Sequence, residues 1–149
     1  MSAERQIYVP PQGPPQCPGP SHEIYSLMGE ENIYKMLEDF YARLATSSIR
    51  EMFPSDSPEE MAEASRKSAE FFIFLFGGPP LYHQKHGNPM MRKRHMAFLI
   101  DEGARDVWLD TFKKVLETAP EEYQFPRQHM SGLVTFLEEF STWMVNSKS

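Results

Sequence analysis

The chain has 149 residues, 40% of them hydrophobic and 13% aromatic, enough for one buried core and one domain. Its 15 Lys+Arg stand against 21 Asp+Glu, a net charge of −6 that excludes broad, non-specific nucleic-acid binding. A single cysteine, Cys17, rules out an intrachain disulfide scaffold, and without a bilayer-length apolar run or a leader pattern the expectation is a soluble cytoplasmic protein with no membrane partner.

Residues 1–21 contain Pro10, Pro11, Pro14, Pro15, Pro18 and Pro20. Proline lacks the backbone donor that a helix needs. This arm is therefore expected to be extended, polyproline-like and flexible, outside a helical domain spanning 22–149. Cys17 lies within it and is assigned no catalytic role. From Gly29 onward, Ile33, Met36, Leu37, Phe40, Tyr41 and Leu44 fall on one helical face. Ser47-Ser48 and Phe53-Pro54 interrupt that helix, with room for one short turn between them.

Ser57 is placed to cap the next helix, with Pro58 at its first position and acids following. It runs to Phe76, where Gly77-Gly78-Pro79-Pro80 stops it. Its FFIFLF end could also be a buried strand. Helix is preferred because no partner strand is visible, and enclosure on all sides is then expected. The turn formers of 77–89 predict a long loop. A short helix over 89–96 would carry His95. Asp101 caps a helix in which Ala104, Val107, Trp108, Thr111, Phe112 and Val115 keep helical spacing, ending just before Pro120. Pro126 opens a last helix with Met130, Leu133, Val134, Leu137, Phe140 and Met144 as its stripe. The expected fold class is all-α.

Familiar catalytic signatures are missing. The chain has no phosphate-cradling glycine loop, no GxSxG elbow and no cysteine-rich zinc motif. His83 and His86 lack an obvious third ligand and read as loop histidines. His95 differs, because it follows Arg92, Lys93 and Arg94 and sits among apolar helices. Tyr41 and Trp108 lie on core-facing stripes, where a hydroxyl and an indole N–H need an acceptor. An imidazole, a greasy enclosure, two inward donors and nearby cations for two propionates together point to a haem site.

The pieces FYARL (Phe40 to Leu44), FPSD (Phe53 to Asp56), GGPPLY (Gly77 to Tyr82), HGNPMMRKRHMAF (His86 to Phe98) and RDVWL (Arg105 to Leu109) resemble the second group of truncated haemoglobins. The resemblance covers roughly residues 24 to 145. It implies a two-over-two globin fold around one haem b, with His95 as proximal iron ligand. It further implies that Tyr41 and Trp108 donate to a diatomic ligand such as O₂, NO or CO, with Phe40, Ala64 and Ser68 on the same distal side. Phe53 would flank the haem. Lys67, Tyr82 and Arg94 would meet its propionates, and Phe71, Phe72, Met91 and Phe98 would complete its contacts. Ala64 stands where many globins place a distal histidine, and Ser68 where relatives often carry Leu or Gln.

The leading function is reversible binding of O₂ and other diatomic ligands. The alternative is redox turnover on the same haem, either NO dioxygenation or peroxide reduction, with a separate reductase as partner. A haem-free helical interaction module using the proline arm is the third reading.

Overall fold

A computed structural model describes residues 6–148. Seven α-helices carry the fold, and no strand occurs among the described residues. They are α1 (Ile24–Met28), α2 (Glu30–Leu44), α3 (Pro58–Leu75), α4 (Leu81–His86), α5 (Met91–Arg94), α6 (Glu102–Glu122) and α7 (Met130–Met144). Short 3₁₀ turns precede Phe53 and α7.

The two predicted caps form. The Ser57 hydroxyl accepts from the Glu60 amide at 3.2 Å, and the Asp101 carboxylate accepts from the Ala104 amide at 2.8 Å. Each satisfies one of the amides that a helix start leaves without a partner. α2 packs on α3 and α6, and α6 packs on α7. At their meeting point Phe40 packs against Phe112, tilted, with ring centroids 4.4 Å apart, and Phe72 closes the cluster at 5.4 Å from Phe112.

Several local readings are corrected. The predicted loop 77–89 contains α4, which follows Pro79-Pro80 and ends at Gly87 with φ 80°. Both are ordinary helix punctuation, proline before the start and glycine after the end. α4 is fastened from below by Glu70 of α3, a carboxylate 1% exposed, which pairs with Lys85 and accepts from the Tyr34 hydroxyl. α1 was not expected; only Ile24 and Met28 of its five residues are buried, too short a stripe for periodicity to reveal. Pro120 lies inside α6 rather than beyond it. A proline so near the end sacrifices one ladder bond, and the Tyr123 amide still reaches the Ala119 carbonyl at 2.8 Å. In FFIFLF, Phe71, Phe72, Ile73 and Phe76 are buried, but Phe74 is exposed and rests on His83. One face of that helix end therefore looks outward.

Residues 6–20 form no helix and lie against α7 and the residues that follow it. The amides of Gln16 and Cys17 donate to Glu139, and the Tyr8 amide donates to the Asn146 carbonyl at 3.0 Å.

Two glycines should respond oppositely to alanine. Gly77 has φ +92°, and a Cβ there would lie 2.1 Å from the His22 carbonyl oxygen. Gly77→Ala is expected to lower unfolding free energy by more than about 1 kcal/mol. Gly132 is an exposed position inside α7 with open space around it. Gly132→Ala should raise stability by about 0.5–1 kcal/mol. Urea titration of the two variants checks both signs.

Candidate functional site

The helices enclose a cavity of about 380 Å³, within the range of about 300–1,000 Å³ usual for small-molecule and cofactor sites. α3 presents Ala64, Lys67, Ser68 and Phe71 to it, spaced as one helical face requires. Phe72 also reaches the wall. α2 contributes Tyr41, and Phe53 enters after the 3₁₀ turn. Tyr82 comes from α4, and Trp108 from α6. Met91, Arg94, His95 and Phe98 line it as well.

The helix expected over 89–96 to carry His95 is shorter, and His95 caps the end of the four-residue α5. Its Nδ1 lies 2.6 Å from the Met91 carbonyl oxygen. A carbonyl can only accept, so Nδ1 bears the proton and Nε2 keeps its lone pair. Burial holds the imidazole below its usual range, with the Met91 bond pulling weakly the other way. At neutral pH the ring is uncharged and Nε2 is a ligand-competent base.

Tyr41 and Trp108 share the cavity with it. Burial pushes the Tyr41 phenol up, and the neighbouring Ser68 hydroxyl tempers that rise. The phenol therefore keeps its proton and remains a donor. Among the described residues the Trp108 indole N–H has no hydrogen-bond partner, so it too can donate into the cavity. Phe40 is not part of the wall. It is 1% exposed and stands behind the two donors, edge-on to Tyr41 at 5.6 Å and to Trp108 at 5.5 Å. Its stripe position marked it as inward-facing, and inward here means the aromatic core beneath the cavity.

The cations divide. Arg94 borders the cavity, but its Nε donates to the Pro89 carbonyl at 2.6 Å and its Nη2 to the carbonyls of His86 and Asn88 at 2.8 Å. Its guanidinium also lies over the Tyr82 ring. Arg92 points away, donating to the carbonyls of Tyr8, Trp143 and Val145. Lys67 forms no ion pair among the described residues and is the cation left available at the wall.

Wall residues not anticipated include Met52, Ile100, Arg105 and Ser141. Arg105 donates from Nε to the Ser141 hydroxyl at 3.0 Å. Arg105 opens the RDVWL motif, which was a usable signal; Ser141 lies off the apolar stripe of α7 and gave none.

Residues 23–146 match the profile of the bacterial-like globins, and the chain belongs to that family. The group 2 truncated hemoglobin YjbI of Bacillus subtilis (strain 168) is 37% identical over 94 residues, covering 62% of this chain and 68% of its own. A two-on-two hemoglobin of Arabidopsis thaliana is 30% identical over 97 residues, covering 63% of this chain and 54% of its own length. The crystal structure of phosphate-bound Hell's gate globin IV superposes with a TM-score of 0.82 at 32% identity, covering 100% of this chain and 87% of that one. The truncated oxygen-avid haemoglobin from Bacillus subtilis superposes at 0.71 and 32% identity, covering 82% and 98%. Within the globins, then, this is a group II truncated haemoglobin, and membership implies a haem-binding chain with small diatomic ligands. No helix among the described residues is long and apolar enough to cross a membrane.

The state of His95 carries a pH dependence. In the unfolded chain its imidazole protonates near pH 6.5, while in the fold it resists protonation to lower pH. Between those limits the unfolded state binds more protons, so stability falls as pH falls. The urea midpoint of the apoprotein should therefore drop below about pH 6.5. The drop should be smaller in His95→Gln, and equal drops in both proteins would count against the buried neutral imidazole.

Proposed function

We propose that this chain binds haem b through His95 and uses it to take up O₂ and other diatomic ligands such as NO and CO reversibly. The observation that carries the reading is the protonated Nδ1 of His95, which leaves a basic Nε2 in a cavity that two hydrogen-bond donors also line. The donor set fits the group: a neutral imidazole for iron, aromatic and aliphatic walls for the macrocycle, and Lys67 for a propionate. Arg94 and Tyr82 would border the propionates, Arg94 mainly by holding the loop in shape. Phe53, Phe71, Phe72, Met91 and Phe98 would pack on the ring.

When bound, the haem would supply an iron able to take a diatomic ligand. Everything else is the chain's own work. Tyr41 would donate its phenol proton toward the ligand, with the Ser68 hydroxyl beside it, and Trp108 would donate as well. Ala64 cannot donate, and its small side chain leaves the space to them. Hydrogen bonds to a charged partner contribute about 1.5–3 kcal/mol, so two donors favour slow ligand release. The solved relative described as oxygen-avid, at 32% identity, is in keeping with that direction.

Two measurements test the reading. The visible absorption spectrum of the purified, reduced protein should show a haem, and His95→Ala should lose or greatly weaken it. A normal stoichiometric spectrum in that variant would sink the assignment. Stopped-flow O₂ dissociation should then be roughly tenfold to a hundredfold faster in Tyr41→Phe, the loss of one donor to a partly charged ligand. Trp108→Phe should act in the same direction, and the two should not add, because they serve one ligand. Release rates within about twofold of the parent in both variants, below the scale of one hydrogen bond, would show that something else holds the ligand.

A further inference from the structure

Resting on the haem reading, we propose that Asn146 is a positioning residue for His95: a brace from the segment after α7 that sets the height and tilt of the proximal imidazole.

α5 is a single turn of four residues, and Met90 before it sits at φ 37° with no side-chain cap. One turn cannot hold itself in place, because helix nucleation is unfavourable. His95 ends this turn, and Ala97, Phe98 and Leu99 after it are exposed. The imidazole therefore needs tertiary bonds to fix its backbone.

Asn146 supplies them. It is fully buried, and its side chain and backbone are both engaged. The Nδ2 group donates to the His95 carbonyl at 3.3 Å and to the Phe98 carbonyl at 3.1 Å. The Oδ1 accepts from the Ile100 amide at 3.0 Å, and the Asn146 amide donates to the Ile100 carbonyl at 2.9 Å. One asparagine thus grips the turn at residues 95, 98 and 100. Arg92 grips the near side of His95 through the carbonyls of Trp143 and Val145, with its guanidinium over the Trp143 ring. The proximal segment is held at both ends by residues 143–146, while the Met91 bond fixes only the rotation of the ring.

Removing the Nδ2 donor should let the His95 backbone ride away from the cavity. Asn146→Asp keeps the shape and the acceptor for Ile100 but replaces the donor with an oxygen facing two carbonyls. Asn146→Ala removes all three side-chain bonds. Resonance Raman spectroscopy of the reduced, unliganded protein reads the iron–histidine stretch directly. Both variants, and more weakly Arg92→Gln, should shift or broaden that band and speed haem transfer to an acceptor protein several-fold. Gly77→Ala, strained against the His22 carbonyl and touching none of the bonds that hold the proximal turn, should leave the band in place and controls for general loosening.

An unmoved band in Asn146→Asp and Asn146→Ala, with only a lower melting temperature, would make Asn146 a structural clamp and overturn the proposal. So would a shift of equal size in Gly77→Ala. If neither Asn146 variant folds around haem, the residue serves folding at large and the proposal falls. Absence of any iron–histidine band in the parent protein is a different result, and strikes the haem reading itself.

Discussion

A carbonyl oxygen cannot donate, so the 2.6 Å contact between the Met91 carbonyl and His95 Nδ1 places one proton and thereby decides the chemistry of the other nitrogen. Without it the imidazole could present either an N–H or a lone pair to the cavity. The burial that keeps the ring neutral acts in the same sense. Tyr41 and Trp108 line the same cavity as His95, and burial, which pushes the Tyr41 phenol up, keeps its proton available for donation.

The basic run before His95 has an answer in the same terms. Arginine offers five donors in a rigid fork, suited to gathering several carbonyls at once. Arg92 gathers those of Tyr8, Trp143 and Val145, and Arg94 those of His86, Asn88 and Pro89. Their charge is put to use as loop staples on either side of a turn too short to stand alone. Lys67, also on the cavity wall, forms no ion pair among the described residues and can meet an anionic group.

The four long helices were legible because each combines a stripe of buried side chains with explicit start or stop residues. Ser57 and Asp101 are where the caps form, and Ile33, Phe40, Phe112 and Leu137 are where the core lies. The cavity wall was legible largely through the family likeness, since Ala64, Lys67 and Ser68 carry no pattern of their own. What escaped is local or long-range. α1 and α4 are too short for periodicity, and α4 hid among turn formers that were in fact its boundaries. Phe40 shares a helical stripe with Tyr41, yet one lines the cavity and the other supports it, a distinction set by the crossing of α2 and α6. Asn146 sits in a polar stretch without periodicity, and nothing nearby in sequence shows that its partners lie at His95, Phe98 and Ile100.

The staples on Arg92 bear on the order of assembly. Its partners lie 84 positions upstream at Tyr8 and 51 and 53 positions downstream at Trp143 and Val145. Contacts over such separations cost loop entropy before they return any energy, and they form late. α2 and α3, which pack on each other, lie early in the chain and can pair as soon as both have left the ribosome. The proximal turn cannot take its final shape until residue 146 has been made. The α2–α3 pair can thus form first, while the last part of the cavity wall, from α7, and the turn that ends in His95 are completed together, once residues 140–146 have arrived.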